Sequence, residues 1–355
     1  MTQGSRQFRL NVRSPLVLIP IAMVVAAELI VRLPALGDLL PRQQLYYDVG
    51  VETRLQKLES LSFRDTVDIL FVGSSIVRTN FQPVVFDSVF ARNRSQRVVS
   101  FNGGFSGMHP DPTRLYLEHF WLRRTSPRFV MQGVAFGELT SQRKAEEWEE
   151  FTASRLERQW IEDDWLSRVN ATLLSSVRLL NYQGAVTGWF ADGWTGSVET
   201  DFPIDDRGFG PTQMTLTQAM AAGEIQGPGT YGNPYAPADF AIGLTALENA
   251  IEISRQHGVH FVIVNMPEYC GRYLTAADGL ARYRAYLNSL RQLASREGVS
   301  LIDVTRGDPS GWCDKEQFSD HHHMSPAGAH RFSVELAEAL AKLPDAPVLT
   351  QRTQP

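Results

Sequence analysis

Two places in the 355-residue chain combine residue types that could make and break a covalent bond. The first is Gly73-Ser74-Ser75, which closes the apolar run Val67–Gly73. A serine that ends a buried parallel strand is exposed at the carboxyl edge of the sheet. There it sits beside a helix N-terminus whose N–H groups can hold an oxyanion, which makes Ser75 a candidate nucleophile. The signature Gly-x-Ser-x-Gly is not completed, because Val77 stands at its last glycine. Alone, Gly-Ser-Ser describes equally well the small residues that end many strands. The second place is Phe318-Ser-Asp-His-His-His-Met-Ser-Pro-Ala-Gly-Ala-His330. Asp320 lies three residues before His323, close enough for a carboxylate to fix the tautomer of an imidazole that acts as general base. The same stretch could be a set of solvated histidines, or a metal cluster of Asp320, His321, His322 and His323. Consecutive histidines rarely converge on one ion, and there is no His-Glu-x-x-His pair, so no metal and no organic cofactor is expected.

The elements that must position these residues alternate. Val67–Gly73, Arg97–Phe101, Arg128–Phe136, His260–Asn265 and Val299–Val304 are short apolar runs of strand type. Helices are expected from Asp111 through Leu122, over Ala238–His257 with Gly258 as stop, over Ala276–Arg296, and over Pro326–Leu343. A polar connector over 34–66 is expected to be helical around Val51–Leu61. Strands alternating with helices predict an α/β domain over 67–343, with a parallel sheet of about five strands covered on both faces. The stretch 137–237 does not alternate and reads as an insertion: charged helical stretches (143–165, then 165–180), then a Gly-rich loop from Gly184 to Pro237. It holds five of the seven tryptophans, Trp148, Trp160, Trp165, Trp189 and Trp194. Long insertions of this kind are commonly lids or binding surfaces, and Trp189 and Trp194 are the candidates for substrate contact. The remaining tail is 344–355.

The composition is that of a folded chain: 43% hydrophobic and 21% charged residues, with a net charge of -5 that argues against a nucleic-acid partner. Two cysteines rule out a disulfide scaffold and a four-cysteine zinc site. Residues 1–13 carry Arg6, Arg9 and Arg13 and no acid, and Ser14–Leu33 is apolar. A basic flank before an apolar run of about 20 residues predicts a transmembrane anchor over 14–33. Residues 1–13 would then lie in the cytoplasm and the bulk of the chain outside. A cleaved signal peptide is the rival, with Val24-Val25-Ala26 as cleavage region. Glu28 and Arg32, spaced i,i+4, read as a self-paired couple or as a polar contact for another membrane protein.

Taken together, the blocks resemble the SGNH (GDSL-like) hydrolase superfamily, in which a serine follows the first strand and Asp-x-x-His precedes the last helix. Ser75 matches the serine block, with Ser74 where the Gly-Asp-Ser form has aspartate. Asp320 and His323 match the last block, continued by Met324-Ser-Pro-Ala-Gly328. Asn102-Gly-Gly-Phe-Ser-Gly107 is similar to the glycine block, which implies that the Gly107 N–H joins that of Ser75 in the oxyanion hole. The family's Gly-x-Asn-Asp is absent: after the Arg128–Phe136 run the chain reads Gly133-Val-Ala-Phe-Gly-Glu138, without asparagine. Gly-Ser-Ser with an N-terminal anchor is similar to the subset that holds the teichoic acid D-alanine transfer protein and the alginate O-acetylation proteins, which work beside membrane-bound O-acyltransferases.

The resemblance implies a three-layer, flavodoxin-like domain. It also implies serine-dependent acyl transfer, O-acetyl for choice, to a cell-envelope or exported polysaccharide. Ser75 would be the nucleophile, His323 the base and Asp320 its orienter. A glycan acceptor, a membrane-bound O-acyltransferase and the membrane would be the partners. An esterase or deacetylase using the same residues, or a non-catalytic envelope assembly protein on the same scaffold, are the alternatives. Export would also permit a disulfide between Cys270 and Cys313, both of which follow strands ending on the same sheet edge.

Overall fold

The computed structural model describes residues 15–33, 50–62, 66–107, 110–139, 203–224, 240–274 and 278–343, with seven further positions between 165 and 179. The chain divides into two compact units, Met1–Tyr46 with Ser154–Glu199, and Tyr47–Ala153 with Thr200–Pro355.

In the first unit, Pro15–Val31 is a helix (α1). Its apolar side chains, among them Ile19, Met23, Val24 and Leu29, are exposed. Seventeen residues rise about 25 Å, short of a bilayer core of about 30 Å. Among the described residues no helix is long and apolar enough to cross a membrane; residues 1–14 and 34–49 lie outside them, so the expected span over 14–33 is not tested. Arg32, just past the end of the helix, pairs with Glu28 of its last turn at 2.6 Å, and the second Glu28 oxygen accepts the Leu179 N–H.

The second unit carries the alternating pattern. Five strands, β1 (Ile69–Gly73), β2 (Ser100–Gly104), β3 (Phe129–Val134), β4 (His260–Asn265) and β5 (Ser300–Asp303), form one parallel sheet in the order β2-β1-β3-β4-β5. This is the doubly wound order in which the strand sequence reverses between β1 and β3, so a crevice opens beyond the carboxyl ends of those two strands. β2 begins three residues later than expected, because Arg97–Val99 serve as its entry: Asp68 accepts the Val99 N–H, and the Val99 carbonyl accepts from Asp68 and Ile69.

One sheet face presents Ile69, Phe71, Phe129, Met131, Val262 and Val264 to α4 (Pro83–Arg94) and to the C-terminal helix Pro326–Lys342. That helix starts on a Ser325 cap with Pro326 at its first position, and buries Phe332, Leu336 and Leu340 along one stripe. Each such side chain contributes roughly 2 kcal/mol of apolar transfer. The other face is covered by α5 (Pro110–Tyr116) and by Ala241–Gln256 and Gly279–Glu297. After α5 the helix widens into a π turn over Leu117–Trp121, where the sequence suggested an unbroken helix to Leu122. The connector is helical over Gly50–Ser62 (α2), close to the expected Val51–Leu61.

Residues 203–224 of the expected Gly-rich loop are described. Thr215 and Gln218 form a reciprocal capping box at the head of α6 (Leu216–Ala221), a Thr-x-x-Gln signal present in the sequence. Upstream, the Asn102 N–H donates to the Arg207 carbonyl, and Arg207 reaches the Ser100 carbonyl and Asp87, so residues 205–210 cover the open edge of β2. Burial pushes the Asp87 carboxyl up to about 6, against Ser100 hydrogen bonds and the Arg207 charge that pull it down.

The missing elbow glycine has a structural counterpart. Val77 occupies α3 (Ser75–Asn80), and the space for its side chain is left by glycines on three strands. A Cβ on Gly73, Gly104 or Gly133 would lie 2.6, 2.9 or 2.4 Å from Val77 side-chain atoms. The glycines that this packing needs lie on the strands beneath the helix. Gly133→Ala is therefore expected to cost about 1–3 kcal/mol in urea unfolding through overpacking, and Val77→Ala in the same chain to recover part of it. Equal stability of wild type and Gly133→Ala would contradict this packing.

Candidate active site

α3 is six residues long and begins at the reversal point of the sheet. Ser74 caps it, its side chain accepting the Ile76 N–H, and Ser75 opens its first turn at the carboxyl end of β1. The carbonyls at the far end of this helix would be unpaired in so short an element. Asn102, fully buried on β2, donates its amide to the carbonyls of Val77, Arg78 and Phe81, and its oxygen accepts the Gly104 N–H. The Gly210 N–H adds a second bond to the Arg78 carbonyl.

The histidine loop is folded on itself. Phe318 and Met324 form an antiparallel bridge, and the His323 carbonyl accepts from the N–H and hydroxyl of Ser319. Within this turn, one oxygen of Asp320 accepts the N–H groups of His322 and His323, both at 2.7 Å. The other accepts from His323 Nδ1 at 2.6 Å. Nδ1 thereby carries the proton and Nε2 is left as acceptor, facing Ser75 Oγ at 2.7 Å. The structure thus brings Ser75, Asp320 and His323 together across 248 positions of sequence, with the spacing that a nucleophile, a base and its orienter need. Burial alone would raise the Asp320 carboxyl. The charge and hydrogen bond of His323, the charge of His322 and the His323 N–H outweigh it and hold the group well below the usual carboxylate range.

Gly107 lies in a turn at the exit of β2 with φ 67°. The Phe105 N–H donates to the Gly73 carbonyl, so the turn starts beside the end of the strand that leads into Ser75. Among the described residues at the exit of β3 none carries a side-chain amide: Phe136–Leu139 is a 3-10 turn in which Glu138 accepts the Ala135 N–H. Trp189 and Trp194 lie outside the described residues, as do the charged stretch 143–164 and much of the insertion. Among the described residues no group of histidine, cysteine and acidic side chains is arranged to hold a metal ion.

Several residues of the site were not singled out by sequence. Asn80, at the last turn of α3, accepts the Met324 N–H and donates to the His322 carbonyl. Glu268, fully buried just after β4, receives Tyr273 OH and pairs with His322 Nδ1 at 2.5 Å, a second carboxylate–imidazole pair beside the first. Its only sequence signal is an acid placed three residues after a strand that ends at the same sheet edge. Cys270 and Cys313 are joined by a disulfide with Cα atoms 4.8 Å apart, and the Cys270 N–H donates to the Trp312 carbonyl. This ties the exit of β4 to the loop that leads into Asp320. Arg331 of the C-terminal helix holds that loop from its other side, lying over the Trp312 ring and donating to Gly311 and Gln317.

No protein-family profile matches the chain, and no curated protein matches it. Among solved structures the chain is similar to a lipase/acylhydrolase from Enterococcus faecalis (12% identity, TM-score 0.37, 78% of this chain and 96% of that one). It is also similar to a GDSL-like lipase from Bacteroides thetaiotaomicron (7% identity, TM-score 0.38, 80% and 94%). A gut microbial diltiazem-metabolizing enzyme matches at 12% identity and TM-score 0.35, over 77% of this chain and 47% of that one. Likenesses this distant carry no functional weight and do not reach the anchored subset; the chemistry is read from the site itself.

The disulfide closes a separation of 43 residues, for which the chain-entropy relation gives about 4 kcal/mol. Replacing both cysteines by alanine is expected to lower unfolding free energy by about that amount in guanidinium titrations. An unchanged midpoint would show that the bridge constrains nothing.

Proposed function

We propose that the protein is a serine-dependent acyltransferase that moves an acyl group, acetyl in the simplest case, onto a hydroxyl of a cell-envelope or exported polysaccharide. The observation that carries the acyl chemistry is the unbroken chain Ser75 Oγ–His323–Asp320, with bonds of 2.7 and 2.6 Å. As Ser75 Oγ attacks the ester carbonyl of the donor, its proton passes to His323 Nε2, and Asp320 stabilises the imidazolium. The oxyanion is held by the N–H groups of Ser75 and Gly107. Collapse breaks the ester C–O bond; the departing alkoxide takes the proton from His323 and leaves acyl-Ser75. An acceptor hydroxyl then gives its proton to His323 and attacks the acyl carbon, and the second collapse restores Ser75.

Water entering in place of the sugar would make the same site an esterase or deacetylase, since the three side chains serve both outcomes. The same oxyanion donors serve both outcomes, so the choice rests on what reaches acyl-Ser75 second. The exposed apolar helix α1 and the basic residues before it fit a chain held at the cytoplasmic membrane with this unit on the extracytoplasmic side. In that place a membrane-bound O-acyltransferase would serve as acyl donor at high effective concentration. The tryptophans of the insertion would supply apolar faces for sugar rings. No cofactor enters the reaction.

With p-nitrophenyl acetate as donor, purified protein is expected to form an acetyl adduct on Ser75, and added acidic or neutral oligosaccharides to divert the acetyl group from water to sugar. Ser75→Ala should form no adduct. Rapid hydrolysis unaffected by every sugar would assign an esterase, and absence of any adduct would assign a non-catalytic assembly role.

A further inference from the structure

Of the two oxyanion donors, the Ser75 N–H is fixed by the helix it opens, whereas the Gly107 N–H is carried by a turn. Gly107 has φ 67°, so where its N–H points depends on how the preceding residues are held. Phe105 supplies the floor of the turn: it is buried, its ring stacks on Trp121 at 5.5 Å, and Arg54 lies over it. The rim is held by Arg78. This arginine lies three residues after the nucleophile on α3, and 8% of it is exposed. Its carbonyl is bonded by Asn102 and Gly210, which fixes its backbone, and its Nη1 donates to Ser106 Oγ at 2.8 Å. A cation taken so far from water needs a reason to be retained, since burying it is costly. The bond to Ser106 provides one, because it joins the turn that carries the second oxyanion donor to the helix that carries the first.

We infer that Arg78 is a positioning residue: through Ser106 it sets the Gly107 N–H relative to Ser75, so that both donors meet the same oxyanion. The inference rests on the acyl reading given above. It assigns Arg78 no contact with substrate; it acts on geometry, and misplacement of a donor by about 1 Å can cost up to about 100-fold in rate.

The test is a double-mutant cycle on the full chain with p-nitrophenyl acetate. Arg78→Met and Ser106→Ala are each expected to lower kcat about 10- to 100-fold with KM and the pH profile unchanged. A boronic acid that mimics the tetrahedral adduct should bind more weakly by the same factor. Together the two substitutions should cost no more than the worse one alone, because they break one link. Arg78→Lys, which keeps charge and reach but not the planar fork, should recover part of the rate. Urea midpoints separate this from simple unfolding, and Ser106→Ala removes one hydroxyl from a half-buried turn. Additive losses, or kcat within twofold of wild type in both single variants, would overturn the inference while leaving Ser75 acylation intact. If wild type itself forms no acyl-Ser75, the acyl reading and this inference fall together.

Discussion

The two halves of the site come from opposite ends of the domain and meet on one buried amide. Asn80 closes the helix that Ser75 opens, and its side chain is spent on the histidine loop, accepting the Met324 N–H at 2.8 Å and donating to the His322 carbonyl at 3.2 Å. Thr79 Oγ1 completes the arrangement by bridging the Ser75 carbonyl to Asn80. Each bond is worth about 1 kcal/mol in net stability, yet leaving such a buried group unpaired costs more. The distance from Ser75 to His323 is therefore set inside a six-residue helix, and the rest of the domain serves to hold that helix still. Asn102 holds its carbonyl end, Ser74 caps its start, and three strand glycines admit Val77 beneath it.

Charge is arranged around this frame in pairs. Asp320 faces His323 and Glu268 faces His322, and the two imidazoles lie 6.4 Å apart. The Asp320 carboxylate, with three donors on it, stays ionised and can support a proton on His323 during attack. Glu268 is fully buried and would be costly without His322 and Tyr273. That second pair also fixes the middle of the loop, since the His322 N–H is one of the three donors to Asp320.

Much of this was legible in the sequence. The five strands were visible as apolar runs, and β4 was placed to the residue, because Gly258 ends the helix before it and Asn265 ends the run. The meeting of Ser75, Asp320 and His323 is readable because the proposed chemistry needs a strand end and a three-residue spacing, both of which are local patterns. The Cys270–Cys313 pairing followed from the shared sheet edge. What could not be read was tertiary. Asn80 and Asn102 look like ordinary polar residues until the helix carbonyls and the histidine loop arrive beside them. Arg78 looks like a surface residue of a short helix. The π turn at Leu117–Trp121 has no sequence period of its own; at its end Trp121 packs against Gly103 of β2.

The central claim is that Ser75 is activated by His323 as a unit with Asp320, and a fluorophosphonate probe tests it most directly, since such probes react with activated serines. Peptide mass spectrometry of the labelled protein should place one phosphonyl group on Ser75, with the labelling rate reduced by about 10⁴-fold in Asp320→Asn and lost in His323→Ala. Labelling that is absent from wild type, or that proceeds on Ser75 at an undiminished rate without His323, would contradict the account.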